Sequence, residues 1–105
     1  MKTRIENWSA IVNGSDERYL VTLLSNTLKD ANFTVLDYSS HQFENFGFTS
    51  LWLLGESHLA LHTFPENNNA YIELSSCLEY KGDVFIEILK KELDFVVERK
   101  KEVIE

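Results

Sequence analysis

Ser57, His58, His62 and Cys77 are the residues of this chain whose types and spacing could do chemistry. They fall on neighbouring runs that alternate like β-strands, and a hydroxyl, an imidazole and a thiol held close together could support nucleophilic or acid–base work. Two histidines four apart share one face of a strand as well as of a helix, so metal coordination is open too. No Asp, Glu or third His obviously completes such a site, and no metal is expected. Spacing alone does not choose among these chemistries. A serine after a glutamate in a turn is commonly only a turn residue, and a lone cysteine after an apolar strand is commonly core. With a single cysteine the chain has no internal disulfide, so the Cys77 thiol is either buried filler or a reagent.

The elements that must position these groups are legible as alternation and helical spacing. Trp8, Ala10 and Val12 alternate with Ser9 and Ile11 before Asn13-Gly14, a short strand ending in a turn. Ser15 can cap a following helix, with Asp16 and Glu17 in its first turn and Leu20, Leu23, Leu24 and Leu28 on one face. Residues 33–38 read as a second strand, residues 49–54 as a third and residues 57–64 as a fourth, the last two meeting at a tight turn around Gly55-Glu56. In the fourth, Leu59 and Leu61 share one face while His58, Ala60, His62 and Phe64 share the other. Pro65 closes it, Asn67-Asn68-Asn69 turns the chain, and residues 70–77 form a fifth strand with Ile72 and Leu74 buried. Gly82-Asp83 opens a final helix whose inward stripe is Ile86, Leu89, Leu93, Val96 and Val97, and Arg99, Lys100 and Lys101 become its solvated end.

Two helices over an antiparallel sheet make a two-layer α+β sandwich, because each apolar stripe needs one sheet face. The other sheet face is left bare, with His58, His62 and Phe64 on it. A second copy laid against that face would enlarge the core and enclose polar groups, so a homodimer of αββα form is expected.

The 105 residues form one domain, over 1–105, with a 44% hydrophobic share typical of a globular chain. Ten Lys and Arg against 17 Asp and Glu leave a net charge of −7, which argues against binding a phosphate backbone, so no nucleic-acid partner is expected. No apolar run approaches the roughly 18–20 residues that span a bilayer, and Met1-Lys2-Thr3-Arg4 is followed by Ile5-Glu6-Asn7 rather than an apolar signal core. A cytoplasmic protein without a membrane partner is expected.

The run Gly55-Glu56-Ser57-His58-Leu59-Ala60-Leu61-His62-Thr63-Phe64-Pro65-Glu66 resembles the self-processing segment of the prokaryotic S-adenosylmethionine decarboxylases, small pyruvoyl-dependent enzymes of polyamine biosynthesis. Downstream, Ala70-Tyr71-Ile72-Glu73-Leu74-Ser75-Ser76-Cys77 is similar to the family's strand ending in its catalytic cysteine, at matching spacing. Upstream, Phe43 and Gly47-Phe48-Thr49 fall where the family has an aromatic and a Gly-x-Ser. The resemblance covers roughly residues 43–77.

The resemblance implies cleavage between Glu56 and Ser57. The Ser57 hydroxyl would attack the Glu56 carbonyl, an N→O acyl shift would give an ester, and β-elimination would leave a pyruvoyl group on the new N-terminus. His62 would be the processing base, Thr49 would offer a hydroxyl hydrogen bond to the tetrahedral intermediate, and Gly55 would allow the turn. The pyruvoyl group, generated from Ser57 with no other cofactor, would then join the substrate amine as a Schiff base and accept the electrons released with carbon dioxide. Cys77 would return a proton to the substrate. Phe43 and His62 would stack on the adenine and Glu66 would bind the ribose hydroxyls. The family's sites lie between protomers, so Ser57 and Cys77 would face Phe43, Thr49, His62 and Glu66 of a partner subunit. The product would be the aminopropyl donor for spermidine.

This chain departs from the family pattern in several places. Leu78 stands where a glycine often follows the cysteine, Thr49 replaces serine, Phe64 replaces tryptophan, and Asn67-Asn68-Asn69 replaces a more aromatic turn. Relatives with the same chemistry accept ornithine or arginine, so decarboxylation of a basic amino acid is the alternative on this scaffold. An uncleaved, non-catalytic paralogue that binds a small molecule or a partner is the other.

Overall fold

A computed structural model describes residues 3–105 of the chain. Met1 and Lys2, at the start of the segment read as lacking a signal core, lie outside the described residues. The order is β1 (Arg4–Asn13), α1 (Glu17–Asp30), β2 (Val35–Gln42), β3 (Phe48–Leu54), β4 (Ser57–Phe64), a 3₁₀ turn (Pro65–Asn67), β5 (Asn69–Ser76), α2 (Lys81–Lys90) and β6 (Phe95–Ile104). The strands form one sheet in the order β2-β3-β4-β5-β1-β6, and every neighbouring pair is antiparallel.

Both helices lie on the same sheet face. Leu20, Leu24 and Leu28 of α1 and Phe85, Ile86 and Leu89 of α2 pack with Ala10, Val12, Trp52, Leu54, Leu59, Leu61, Ile72 and Leu74. Taking a leucine such as Leu24 wholly out of water contributes about 1.5–3 kcal/mol, and this one layer of contacts is the main stabilising term. The α+β sandwich read from the apolar stripes is the observed architecture.

Two local expectations are corrected. The N-cap of α1 is Asp16, whose carboxylate accepts the Tyr19 N–H at 3.2 Å; Ser15 instead reaches across to Asn68. Both residue types cap well, and the carboxylate adds a charge that complements the helix dipole.

The larger correction concerns the C-terminus. The final helix ends at Lys90, and Leu93, Val96 and Val97 do not belong to it. Phe95–Ile104 is a strand paired along β1, so Arg99, Lys100 and Lys101 lie on a strand rather than a helix end. Without β6, β1 would expose a row of unpaired N–H and C=O groups. A register shift between Ile11 and Val12 lets Phe95 pack against the core while Val97 pairs with Ile11 on the opposite face.

The sheet face away from the helices is uncovered. Leu51 and Leu53 are about half exposed there, and His58 lies beside them. Alternation along β4 holds for Leu59 and Leu61, which are buried, against His58 and Phe64, which are exposed, and His62, which is half-buried; Ala60, expected with the latter set, is buried instead.

Candidate functional site

The residues singled out fall into two groups at opposite ends of β4. The first surrounds the β3–β4 turn. Leu54 pairs with Ser57, so Gly55 and Glu56 form a two-residue connection, and the Gly55 N–H donates to the Thr34 carbonyl at 3.0 Å. Glu56, not Gly55, adopts the left-handed conformation, at φ 57°. That is a correction to the role expected of Gly55. A side chain in this region crowds its own carbonyl, so the peptide before Ser57 is held in a conformation that glycine would adopt at less cost.

Ser57 follows as the first residue of β4, buried on the helix side. Its hydroxyl donates to Ser76 Oγ at 3.3 Å. The N–H of Cys77, just beyond β5, donates to the Glu56 carbonyl oxygen at 3.3 Å. The Cys77 side chain is exposed, so of the two readings of this thiol the structure excludes buried filler. Beyond it, Arg4 clasps the segment: its guanidinium meets Glu6 at 2.9 Å, Glu102 at 2.8 Å and Glu79 at 3.3 Å. The hydrogen bond to Glu6, with these carboxylates, raises the Arg4 pKa.

The second group lies where β4 ends. Thr49 and His62 are cross-strand partners, and Thr49 Oγ1 is 2.9 Å from His62 Nδ1. Tyr71 stacks beside the imidazole, with ring centroids 6.1 Å apart. An open hollow of about 310 Å³ is lined by Phe43, Gly47, Thr49, His62, Phe64 and Glu66 among others. Gln42 closes the β2–β3 turn beneath it by donating to the Phe46 and Gly47 carbonyls. The hollow offers aromatic walls, a carboxylate and an oriented imidazole, a set suited to a polar ligand with a flat ring.

Phe43, Thr49, His62 and Glu66 are thus brought together, as are Glu56, Ser57 and Cys77. The two sets are not brought together within one chain. His62 lies five steps along the strand from Ser57, roughly 17 Å at about 3.3 Å per residue. Ser57 faces the helices, and His58 and His62 face the other way, so the closely held Ser57–His58–His62 cluster that the spacing allowed does not form. Among the described residues no group of three or more His, Cys, Asp or Glu could hold a metal ion, and no helix is long and apolar enough to cross a membrane.

Ser76 was not singled out from the sequence. It continues the inward parity of Ile72 and Leu74, and a hydroxyl at the end of a buried stripe was the signal available.

The family model for S-adenosylmethionine decarboxylase matches residues 10–103. The chain is 39% identical over 80 residues to the S-adenosylmethionine decarboxylase proenzyme of Prochlorococcus marinus, an alignment covering 75% of this chain and 64% of that one. The proenzyme of Synechococcus sp. is 40% identical over 62 residues, 59% of this chain and 48% of that one. This chain therefore aligns with about half to two thirds of the length of these relatives. The crystal structure of the adenosylmethionine decarboxylase from Aquifex aeolicus superposes with a TM-score of 0.78 over 98% of this chain and 91% of that one, at 24% identity, a likeness of fold. On the breadth of the family match, the chain belongs to the S-adenosylmethionine decarboxylase family.

Proposed function

We propose that this chain cleaves itself between Glu56 and Ser57 and works, as a homodimer, as a pyruvoyl-dependent decarboxylase of S-adenosylmethionine. The observation that carries the reading is the arrangement at the start of β4. A left-handed Glu56 precedes a buried serine, and the carbonyl between them accepts the Cys77 N–H. That N–H is directed at the oxygen on which negative charge would develop, which favours addition to this carbonyl over its neighbours.

In the acyl shift, Ser57 Oγ bonds to the Glu56 carbonyl carbon, the C–N bond to Ser57 breaks, and the hydroxyl proton ends on the freed nitrogen. The resulting ester is opened by removal of the Ser57 α-proton, with the Cβ–O pair leaving on the Glu56 carboxylate. Water then displaces ammonia from residue 57 and a pyruvoyl carbonyl remains. When present, that group supplies the electron sink for loss of carbon dioxide from an α-amino acid.

The separation of the two residue groups supports a shared site. Copies packed antiparallel through the uncovered sheet face, with its exposed Leu51 and Leu53, would bring the β4 start of one against the β4 end of the other. His62 of one protomer then serves its partner as the base. For the ring to accept a proton at Nε2, Nδ1 carries hydrogen and donates to Thr49 Oγ1, an orientation that their 2.9 Å contact fits. Phe43 and His62 flank the adenine, Glu66 accepts from the ribose hydroxyls, and the exposed Cys77 thiol delivers the proton to the substrate carbon.

Mass spectrometry of the purified protein tests this reading. Two fragments meeting at Glu56/Ser57, with the second trapped by hydrazine, and carbon dioxide released from carboxyl-labelled S-adenosylmethionine are the expected results. A chain that stays whole and inert to hydrazine overturns it. Release from ornithine or arginine alone would overturn the substrate assignment while leaving the cleavage chemistry intact.

A further inference from the structure

Ser76 is 1% exposed and its hydroxyl is fully engaged. It accepts from Ser57 Oγ at 3.3 Å and from the Leu78 N–H at 3.0 Å, and donates to the Leu78 carbonyl at 3.3 Å. The next residue, Cys77, sends its N–H to the Glu56 carbonyl. One dipeptide of β5 and its end thus grips both partners of the reacting peptide, the nucleophile by a side chain and the electrophile by the backbone. The two strands are in direct register here, with Ser57 opposite Ser76.

The direction of these bonds has a chemical consequence. Ser76 spends its one proton on Leu78, so toward Ser57 it acts only as an acceptor. The Ser57 proton is then drawn toward Ser76, and among the described residues no donor occupies the Ser57 lone pairs, which stay free for a carbonyl carbon. A nucleophilic hydroxyl held by its hydrogen attacks more readily than one that rotates freely or donates back to its own backbone.

We propose that Ser76 is the positioning residue of self-cleavage, acting at the acyl shift through the Ser57 hydroxyl; this rests on the cleavage reading above. Ser76 neither gains nor loses a proton overall, since the hydroxyl proton of Ser57 passes to its own nitrogen. The role is separate from proton delivery by Cys77, and it requires a hydroxyl at position 76 rather than a side chain of a given size.

The test compares wild type, Ser76→Ala and Ser76→Thr, each purified as the uncleaved chain and followed by intact mass, with circular dichroism to check folding. Ser76→Ala is expected to slow cleavage roughly ten- to a hundredfold, the range for a misplaced reacting group, and Ser76→Thr to restore most of the rate. Hydroxylamine cuts an ester but not a peptide bond, so it locates the affected step. The Ser76→Ala chain is expected to resist it, because the ester does not form. Cleavage of Ser76→Ala within threefold of wild type overturns the proposal while the enzyme reading stands. So does rapid cutting of Ser76→Ala by hydroxylamine, which moves the defect after the shift, or an equal loss in folded Ser76→Thr, which makes the defect one of packing. A wild-type chain that never cleaves removes both readings together.

Discussion

Glu56 and Cys77 are joined backbone to backbone, the N–H of Cys77 donating to the Glu56 carbonyl at 3.3 Å across the ends of β4 and β5. The bond links the peptide proposed for cleavage to the residue proposed for proton delivery, although 20 positions of sequence lie between them. In the proposed function it also separates two uses of Cys77: the main-chain N–H would serve cleavage, and the exposed thiol would serve turnover.

A side-chain substitution at Cys77 should therefore split the two activities. Cys77→Ala keeps the N–H and is expected to cleave near the wild-type rate while losing most decarboxylation, whereas Ser57→Ala loses both. Fragment formation by mass and carbon dioxide release measured on the same preparations check this. Undiminished turnover by Cys77→Ala would deny the thiol its role.

Glu56 adopts φ 57° without being glycine, so the proposed break in the peptide after it would release part of its conformational strain. Glu56→Gly, placed in the uncleavable Ser57→Ala background, should stabilise the intact chain by about 1 kcal/mol. In the otherwise wild-type chain the same change should slow cleavage by roughly fivefold, the rate equivalent of that energy. Thermal unfolding reads the first and a time course of intact mass the second. Equal rates in Glu56→Gly and wild type would remove strain from the account.

A site divided between copies has a signature that a single-chain site lacks. Ser57→Ala and His62→Ala should each be inactive alone, yet co-expression should place an intact Ser57 from one chain against an intact His62 from the other. With random mixing about one quarter of the sites are complete. Cleavage products only from the His62→Ala chain, detected by its distinct mass, are expected. No cleavage in mixed dimers would count against the shared site.

Much of this arrangement was legible because β4 alternates, with the small Ala60 its one buried exception on the polar side. The parity of Leu59 and Leu61 against His58 and His62 needed only the period of a strand, and the motif around Ser57 carried the cleavage reading. The end of the chain was harder. Ile86, Leu89, Leu93, Val96 and Val97 satisfy a helical stripe, and only the open edge of β1, a nonlocal demand, makes a strand of residues 95–104. Ser76 and the left-handed backbone of Glu56 escaped for a related reason: a hydrogen-bond partner from another strand and a backbone angle leave almost no mark on the local pattern. Which end of β4 meets which group is likewise a property of the sheet.

Tyr71 offers a check on the polar row of the uncovered face that is independent of cleavage. Its hydroxyl donates to Glu73 at 2.6 Å, and this hydrogen bond, with burial and the adjacent carboxylate charge, raises the Tyr71 pKa above its ordinary value of 10.0. The folded protein thus binds the phenolic proton more tightly than the unfolded chain does. The associated stability is fully present below the unfolded pKa and is lost as pH rises through the higher folded one. Ultraviolet titration of the folded protein should show a late tyrosinate component that Tyr71→Phe removes and Glu73→Gln shifts back toward neutrality. A titration curve unchanged by Glu73→Gln would contradict the assigned cause. Tyr71 also stacks on His62, so Glu73→Gln tests whether the support behind the proposed base is polar or purely steric. If that support is polar, Glu73→Gln would loosen the ring and, beyond the titration, slow cleavage; if it is steric, the rate would stay where it was.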